Sequence, residues 1–196
     1  MLYYLWNMKP GETGQPNEKV IQHNSTHIPD HCILGPEDIL PLVYRFSEEL
    51  ADLWDQIPHW IIKCDLGRLL YIYYHGGMYA DCDCVIRKAI PSHPVVLFTE
   101  RIVPHYQLGP REKKYNLRVA NYAFSSEAEH PFLKDVILEC IRRLKLLYLE
   151  KVPSQTDILW VCGPDVITTV YHETSQKDIT LLDNTYLHHL CTGSWR

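Results

Sequence analysis

No stretch of this 196-residue chain reaches the about 18 consecutive apolar residues that a membrane-spanning helix requires. Basic clusters are missing too: 19 Lys and Arg stand scattered among 24 Asp and Glu, for a net charge of −5. Without a basic patch there is no electrostatic footprint for DNA or RNA, which sets nucleic-acid binding aside. There is no C-x-x-C pair, and the seven cysteines are an odd number, so they read as reduced thiols rather than a disulfide framework. Neither an internal repeat nor a low-complexity segment interrupts the chain. The apolar start, Met1 to Met8, is short and uncharged and lacks a small-residue cleavage site, so it reads as a buried strand, not a signal peptide. With no leader or anchor in view, the expected location is cytoplasmic.

What is present fits one globular domain over residues 1–196, alone or as one unit of a longer parent. Apolar residues make up 46% and charged residues 22%. A strand is expected at Leu2–Trp6, then a Pro/Gly/Asn-rich loop, a short helix at Glu18–His23 and a strand at Cys32–Leu34. Pro36-Glu37-Asp38 opens a helix expected to run to Asp55. In Trp60–Tyr74, Leu66, Leu69, Leu70 and Tyr73 recur at i, i+3, i+4 and i+7, the apolar stripe of a helix that Gly76-Gly77 ends. Strands are expected at Met78–Cys82, Pro94–Thr99, Val119–Phe124 and Ile158–Val161, with an exposed charged loop at Arg111–Lys114. His130-Pro131 opens a helix to about Leu149, and Gly163-Pro164-Asp165 opens another. The tail from Ile179 to Trp195 reads as short strands. Strands alternating with helices imply an α/β fold.

The chemistry centres on Asp81-Cys82-Asp83-Cys84. If the strand continues through it, residues two apart share a face, so Asp81 and Asp83 point to a cleft and Cys82 and Cys84 to the core. Two close carboxylates repel unless a cation lies between them, and a hard divalent ion that bridges them can also accept phosphate oxygens. On its own D-x-D is a weak signal, equally readable as a solvated strand end. Asp65 and Arg68, three apart on the preceding helix, are either a surface ion pair or part of the same cleft. His75, Cys82 and Cys84 offer a Cys/His zinc set, against which stands the reading of both thiols as buried and structural.

The run Asp65-Leu66-Gly67-Arg68, Leu70-Tyr71 and Tyr74-His75-Gly76-Gly77-Met78-Tyr79-Ala80-Asp81-Cys82-Asp83 resembles the signature of family 32 glycosyltransferases, the D-x-D sugar-binding group. It also resembles the related glucosyltransferase domains of clostridial toxins. Asn121-Tyr122-Ala123-Phe124 with His130-Pro131-Phe132-Leu133, Cys162-Gly163-Pro164-Asp165, and the closing His189 to Gly193-Ser194-Trp195 are similar to later segments of that group. Cysteine between and after the aspartates departs from the family's usual residues, and the chain is short for the fold.

The resemblance implies a GT-A-type nucleotide-sugar-binding fold, a mixed central sheet flanked by helices. It implies a transferase that uses Mn²⁺, with Mg²⁺ as the alternative ion, and moves a sugar to a hydroxyl of a glycan or protein acceptor with retention. UDP-glucose is favoured as donor; other UDP-sugars and GDP-mannose stay open. By the same resemblance Asp83 binds the metal, Asp81 the metal or the ribose or sugar, and His189 completes the metal shell. Asp65, Arg68 and Asn121 hold the transferring sugar, Trp6 flanks the base, and Ser194 and Trp195 close on the diphosphate. Two alternatives stand beside it: a nucleotide-sugar- or carbohydrate-binding domain without turnover, and a haloacid-dehalogenase-like phosphatase using Asp81 as nucleophile in D-x-D-x-V.

Overall fold

A computed structural model describes residues 1–12, 14–57, 59–102, 115–147 and 153–191. Alternation along the strands splits the interior in two. On β1 (Leu2–Leu5), Leu2 and Tyr4 face one apolar cluster and Leu5 the other. On β3 (Gly77–Ala80), Met78 and Ala80 separate from Tyr79 in the same way, as Val96 and Phe98 separate from Val95 and Leu97 on β5 (Val95–Ile102). A strand buried on both faces reads as a nearly continuous apolar run, which β5 does over its first half.

The main sheet runs β2-β1-β3-β7-β5-β6, with β8 also paired to β5; here β2 is His31–Leu34, β6 Leu117–Val119, β7 Ala123–Ser126 and β8 Ile179–Leu182. β1 is parallel to β2 and β3, β7 is antiparallel to β3 and β5, and β8 is parallel to β5. β5 therefore runs with β1 and β3, and the three end on one edge of the sheet. One face is covered by helices α2 (Pro36–Phe46), α3 (Glu48–Gln56), α4 (Trp60–His75), α5 (Pro131–Leu146), α6 (Gln155–Val161) and α7 (Pro164–Glu173). The other carries α1 (Glu18–Asn24) and a ribbon of β4 (Cys84–Ile86) with β9 (Leu187–His189). The expected mixed α/β sheet flanked by helices is present.

Four local expectations are corrected. The helix from Pro36 breaks at Ser47, whose extended backbone and hydroxyl, accepting from the Leu50 amide, make it the N-cap of a new helix. Ile158–Val161 is helical, because Ser154 and Asp157 form a capping box; a four-residue apolar run carries no period to separate strand from helix. Val119–Phe124 is not one strand: residues 120–122 leave the ladder between β6 and β7. The strand before the acidic pair ends at Ala80, so Asp81 and Asp83 lie on a turn closed by the Cys84 amide donating to the Asp81 carbonyl at 2.9 Å. The charged loop at residues 111–114 and the expected helix end at residues 148–149 lie outside the described residues.

The passage from α4 into β3 depends on two glycines with positive φ, Gly76 at +66° and Gly77 at +94°. A Cβ on Gly76 would meet the Ala128 amide at 2.9 Å, and one on Gly77 would meet the Tyr3 ring at 2.8 Å. The chain thus turns sharply off the helix and enters the sheet between β1 and β7.

Arg143, almost wholly buried on α5, ties three helices together by donating to Glu139, to the Trp160 carbonyl at 2.8 Å and to Thr169 Oγ1 at 3.0 Å. Burial pushes the Glu139 carboxyl up, but hydrogen bonds from Arg142 and Arg143 outweigh it and hold its pKa below the ordinary value. A depressed acid contributes stability above its unfolded pKa and loses it as pH falls through the folded one. Glu139→Gln is therefore expected to cost about 1–2 kcal/mol at pH 7, the part shared with exposed Arg142 being screened. The difference should vanish below about pH 4. Urea unfolding at both pH values checks this; a gap that persists in acid would assign the loss to packing instead.

Candidate active site

The edge where β1, β3 and β5 end opens into a cavity of about 390 Å³, the position at which open α/β sheets hold ligands. Trp6 follows β1, Asp81 and Asp83 follow β3, and Asn121 precedes β7, so topology alone lines them up along one cleft. Asp65 and Arg68 reach its floor from α4, both only 4% exposed despite their charge. They are not a surface ion pair.

Arg68 organises that floor. Its guanidinium donates to Asp65, to Asp81 Oδ1 at 2.9 Å and to the Asn121 carbonyl at 3.0 Å, and lies 4.9 Å over the Tyr79 ring. Asp81 Oδ1 takes a second hydrogen bond, 2.6 Å from the Tyr79 hydroxyl, and Asn121 Nδ2 donates to Asp65 at 3.2 Å. Burial raises the Tyr79 phenol well above its ordinary value, so it remains a donor. Burial likewise pushes Asp65 up to about 7, opposed by Arg68 and reinforced by Asp81.

With Oδ1 committed to the floor, Asp81 turns Oδ2 toward His189 Nε2, 3.9 Å away. Asp83 Oδ1 lies 3.1 Å from the same nitrogen. The ribbon brings His189 there: Cys84 pairs with His189, the Leu190 amide donates to the Asp83 carbonyl at 2.9 Å, and Tyr122 stacks on the imidazole at 4.2 Å. Burial alone would depress the imidazole, but the Asp83 hydrogen bond and the charges of Asp81, Asp83 and Glu100 raise it. Asp81, Asp83 and His189 offer ligand atoms within 4.8 Å of one another, the cluster among the described residues able to hold an ion.

The two thiols divide differently from the alternation expected of a strand. Cys84 is buried under the ribbon, whereas Cys82 is half-exposed, lines the cavity and donates to the Leu5 carbonyl. Burial, then the Asp81 and Asp83 charges, push the Cys82 thiol up to about 12, so it stays protonated. His75 instead stacks on Tyr71, and the Cys/His zinc set is not assembled. Trp6 lines the far end of the cavity, its indole N–H donating to the Gly14 carbonyl at 3.0 Å. Ser194 and Trp195 lie outside the described residues.

Two residues escaped the sequence reading. Tyr79 was visible only as an aromatic in the motif, and its hydroxyl grips Asp81 because the chain turns directly after β3. Glu100 lines the cavity from the second half of β5; an acid closing an apolar strand was its signal.

A mixed sheet flanked by helices, with an acid pair and a buried Asp–Arg floor at its parallel strand ends, has the architecture of a GT-A-type fold. Residues 15–108 match the family described as glycosyltransferase sugar-binding region containing DXD motif, a match that takes in Asp65, Arg68, Asp81 and Asp83. Among solved structures the chain is similar to one titled PaToxG Glycosyltransferase, at 16% identity and a TM-score of 0.53, over 88% of this chain and 67% of that one, a likeness of fold. No curated protein matches it. Against the phosphatase alternative, Oδ1 of the carboxylate it needs as nucleophile is held by Arg68 and Tyr79.

Proposed function

We propose that the chain is a metal-dependent glycosyltransferase that moves a hexose, with retention, from a nucleotide-sugar to a hydroxyl of a glycan or protein. One observation carries the reading: Asp81, Asp83 and His189 converge on the wall of a cavity that extends from Trp6 to Arg68 and Asn121. Two carboxylates and an imidazole suit Mn²⁺, and Mg²⁺ less well because of the nitrogen. Asp83, His189 and the Oδ2 side of Asp81 would hold the ion, which supplies positive charge for the departing diphosphate when bound.

The protein's own groups do the rest. Trp6 flanks the base with its π-face. Asp65 and Asn121 meet sugar hydroxyls, and Arg68 holds Asp65, Asp81 and the Asn121 carbonyl in register, a preorganised floor that need not rearrange during reaction. As the bond from C1 to the diphosphate opens, its electron pair leaves on the phosphate oxygen, the acceptor oxygen joins C1, and the acceptor's proton passes to the departing phosphate oxygen. UDP-glucose is the favoured donor from the resemblance to the toxin domains. Seven free cysteines support a reducing, cytoplasmic setting.

A thermal-shift panel of UDP-, GDP- and TDP-sugars with and without MnCl₂ tests this. Donor at 100 times Kd stabilises by about 2.7 kcal/mol, a shift of about 5–10 °C for a chain of this length. The shift should need Mn²⁺ and be lost with EDTA. Equal shifts in its presence would remove the metal from the reading, and binding without any donor hydrolysis would favour the domain without turnover.

A further inference from the structure

Residues 120–122, which leave the ladder between β6 and β7, tie several parts of the cleft together. The Ala120 amide donates to the Phe98 carbonyl of β5 at 2.8 Å, and Asn121 holds Asp65 and Arg68. Tyr122, buried beside them, touches two of the three converging ligand groups at once. Its carbonyl accepts from the Asp81 amide at 2.8 Å, and its ring lies against the His189 imidazole with the planes 27° apart. His189 needs such support. It ends β9, a strand of three residues, and the two residues after it, Leu190 and Cys191, are exposed. To serve as a metal ligand Nε2 must present its lone pair, so the hydrogen bond that orients it on Asp83 is given up. The ring hydrogen then stands on Nδ1, 3.5 Å from Cys191 Sγ, a weak acceptor where metal-bound imidazoles usually have a carboxylate or a carbonyl. A ring stack requires neither the proton nor the lone pair, and it holds in both states.

We propose that Tyr122 is a positioning residue of the metal site, its ring holding the His189 imidazole with Nε2 toward Asp81 and Asp83, so that the three ligand groups converge before an ion binds. This rests on the metal-dependent reading above. Tyr122 acts through His189 and does not itself offer a ligand atom. The part played by its ring can be read separately, because the hydrogen bond from the Asp81 amide goes to the main chain and survives substitution of the side chain.

The probe is Mn²⁺ alone, its Kd read from the free-ion signal in electron paramagnetic resonance. Tyr122→Leu should weaken binding by about 10-fold, the lower end for loss of a group that orients a metal ligand. Tyr122→Phe, which keeps the ring, should stay within about 2-fold of wild type. In a His189→Ala background Tyr122→Leu should cost less than about 2-fold more, since the imidazole through which the ring acts is gone. An unchanged Kd in Tyr122→Leu would overturn the assignment. So would an equal loss in Tyr122→Phe, which assigns the effect to the hydroxyl, or a full loss in the His189→Ala background, which assigns it to the surrounding fold. If Tyr122→Leu shows no melting transition, Tyr122→Met, with a flexible apolar chain that fills irregular gaps, replaces it with the same expectations. Wild type that binds no Mn²⁺ would sink the metal reading itself; wild-type binding that Tyr122→Leu leaves untouched sinks this inference alone.

Discussion

Asp83→Ala is expected to reduce Mn²⁺-dependent donor hydrolysis by on the order of 10³-fold while the protein stays folded. Asp83 sits on the turn after β3, with its carboxylate toward His189 and the cavity rather than in the apolar core. Removing it deletes one of three converging ligand groups and relieves repulsion with Asp81, so stability should change little. Asp83→Asn separates charge from shape, since it keeps an oxygen at the same place with weaker attraction for a cation, and it should fall between wild type and Ala. Initial rates across a MnCl₂ titration, with melting curves alongside, are the measurement. Hydrolysis that survives in Asp83→Ala at wild-type metal dependence would remove the metal site from the mechanism.

Arg68→Met is expected to act through both folding and function. It leaves Asp65 and Asp81 in a buried space without their shared cation and strands the Asn121 carbonyl. Breaking a buried ion pair from one side costs about 3–5 kcal/mol, because the surviving charge stays desolvated. Arg68→Lys should recover little, as a point charge cannot serve three acceptors in a plane. The double variant Asp65→Asn/Arg68→Met should regain part of the stability by removing one orphaned acid, a coupling readable by urea unfolding. Should Arg68→Met unfold within about 1 kcal/mol of wild type, the guanidinium would not be what organises the cleft floor.

Much of this site was legible because its pieces are local. The apolar stripe of α4, the double glycine and the acid pair after it all lie between Asp65 and Asp83, and each follows from rules that act within one element or one turn. What failed failed for want of a period: Ile158–Val161 was too short to tell helix from strand, and Ser47 ended a helix through its cap rather than through any change in apolar pattern. The expected strand through Asp81–Asp83 failed because side-chain alternation says nothing about where a strand stops; the ladder to β7 ends at Ala80–Ala123. The carboxylates still converge, but through a turn and with Cys82 at the cavity instead of in the core.

The sequence by itself determined the chemical inventory: which acids stand together, that a helix carrying an Asp–Arg pair feeds them, and that the chain builds an α/β sheet. Only the tertiary structure decided that Arg68 meets Asn121, 53 residues later, that His189 closes on Asp83, and that Glu100 lines the same cavity. Periodicity and capping are set by neighbours along the chain, whereas these meetings depend on which strands pair and in which direction, and that is fixed by burying both faces of the whole sheet at once.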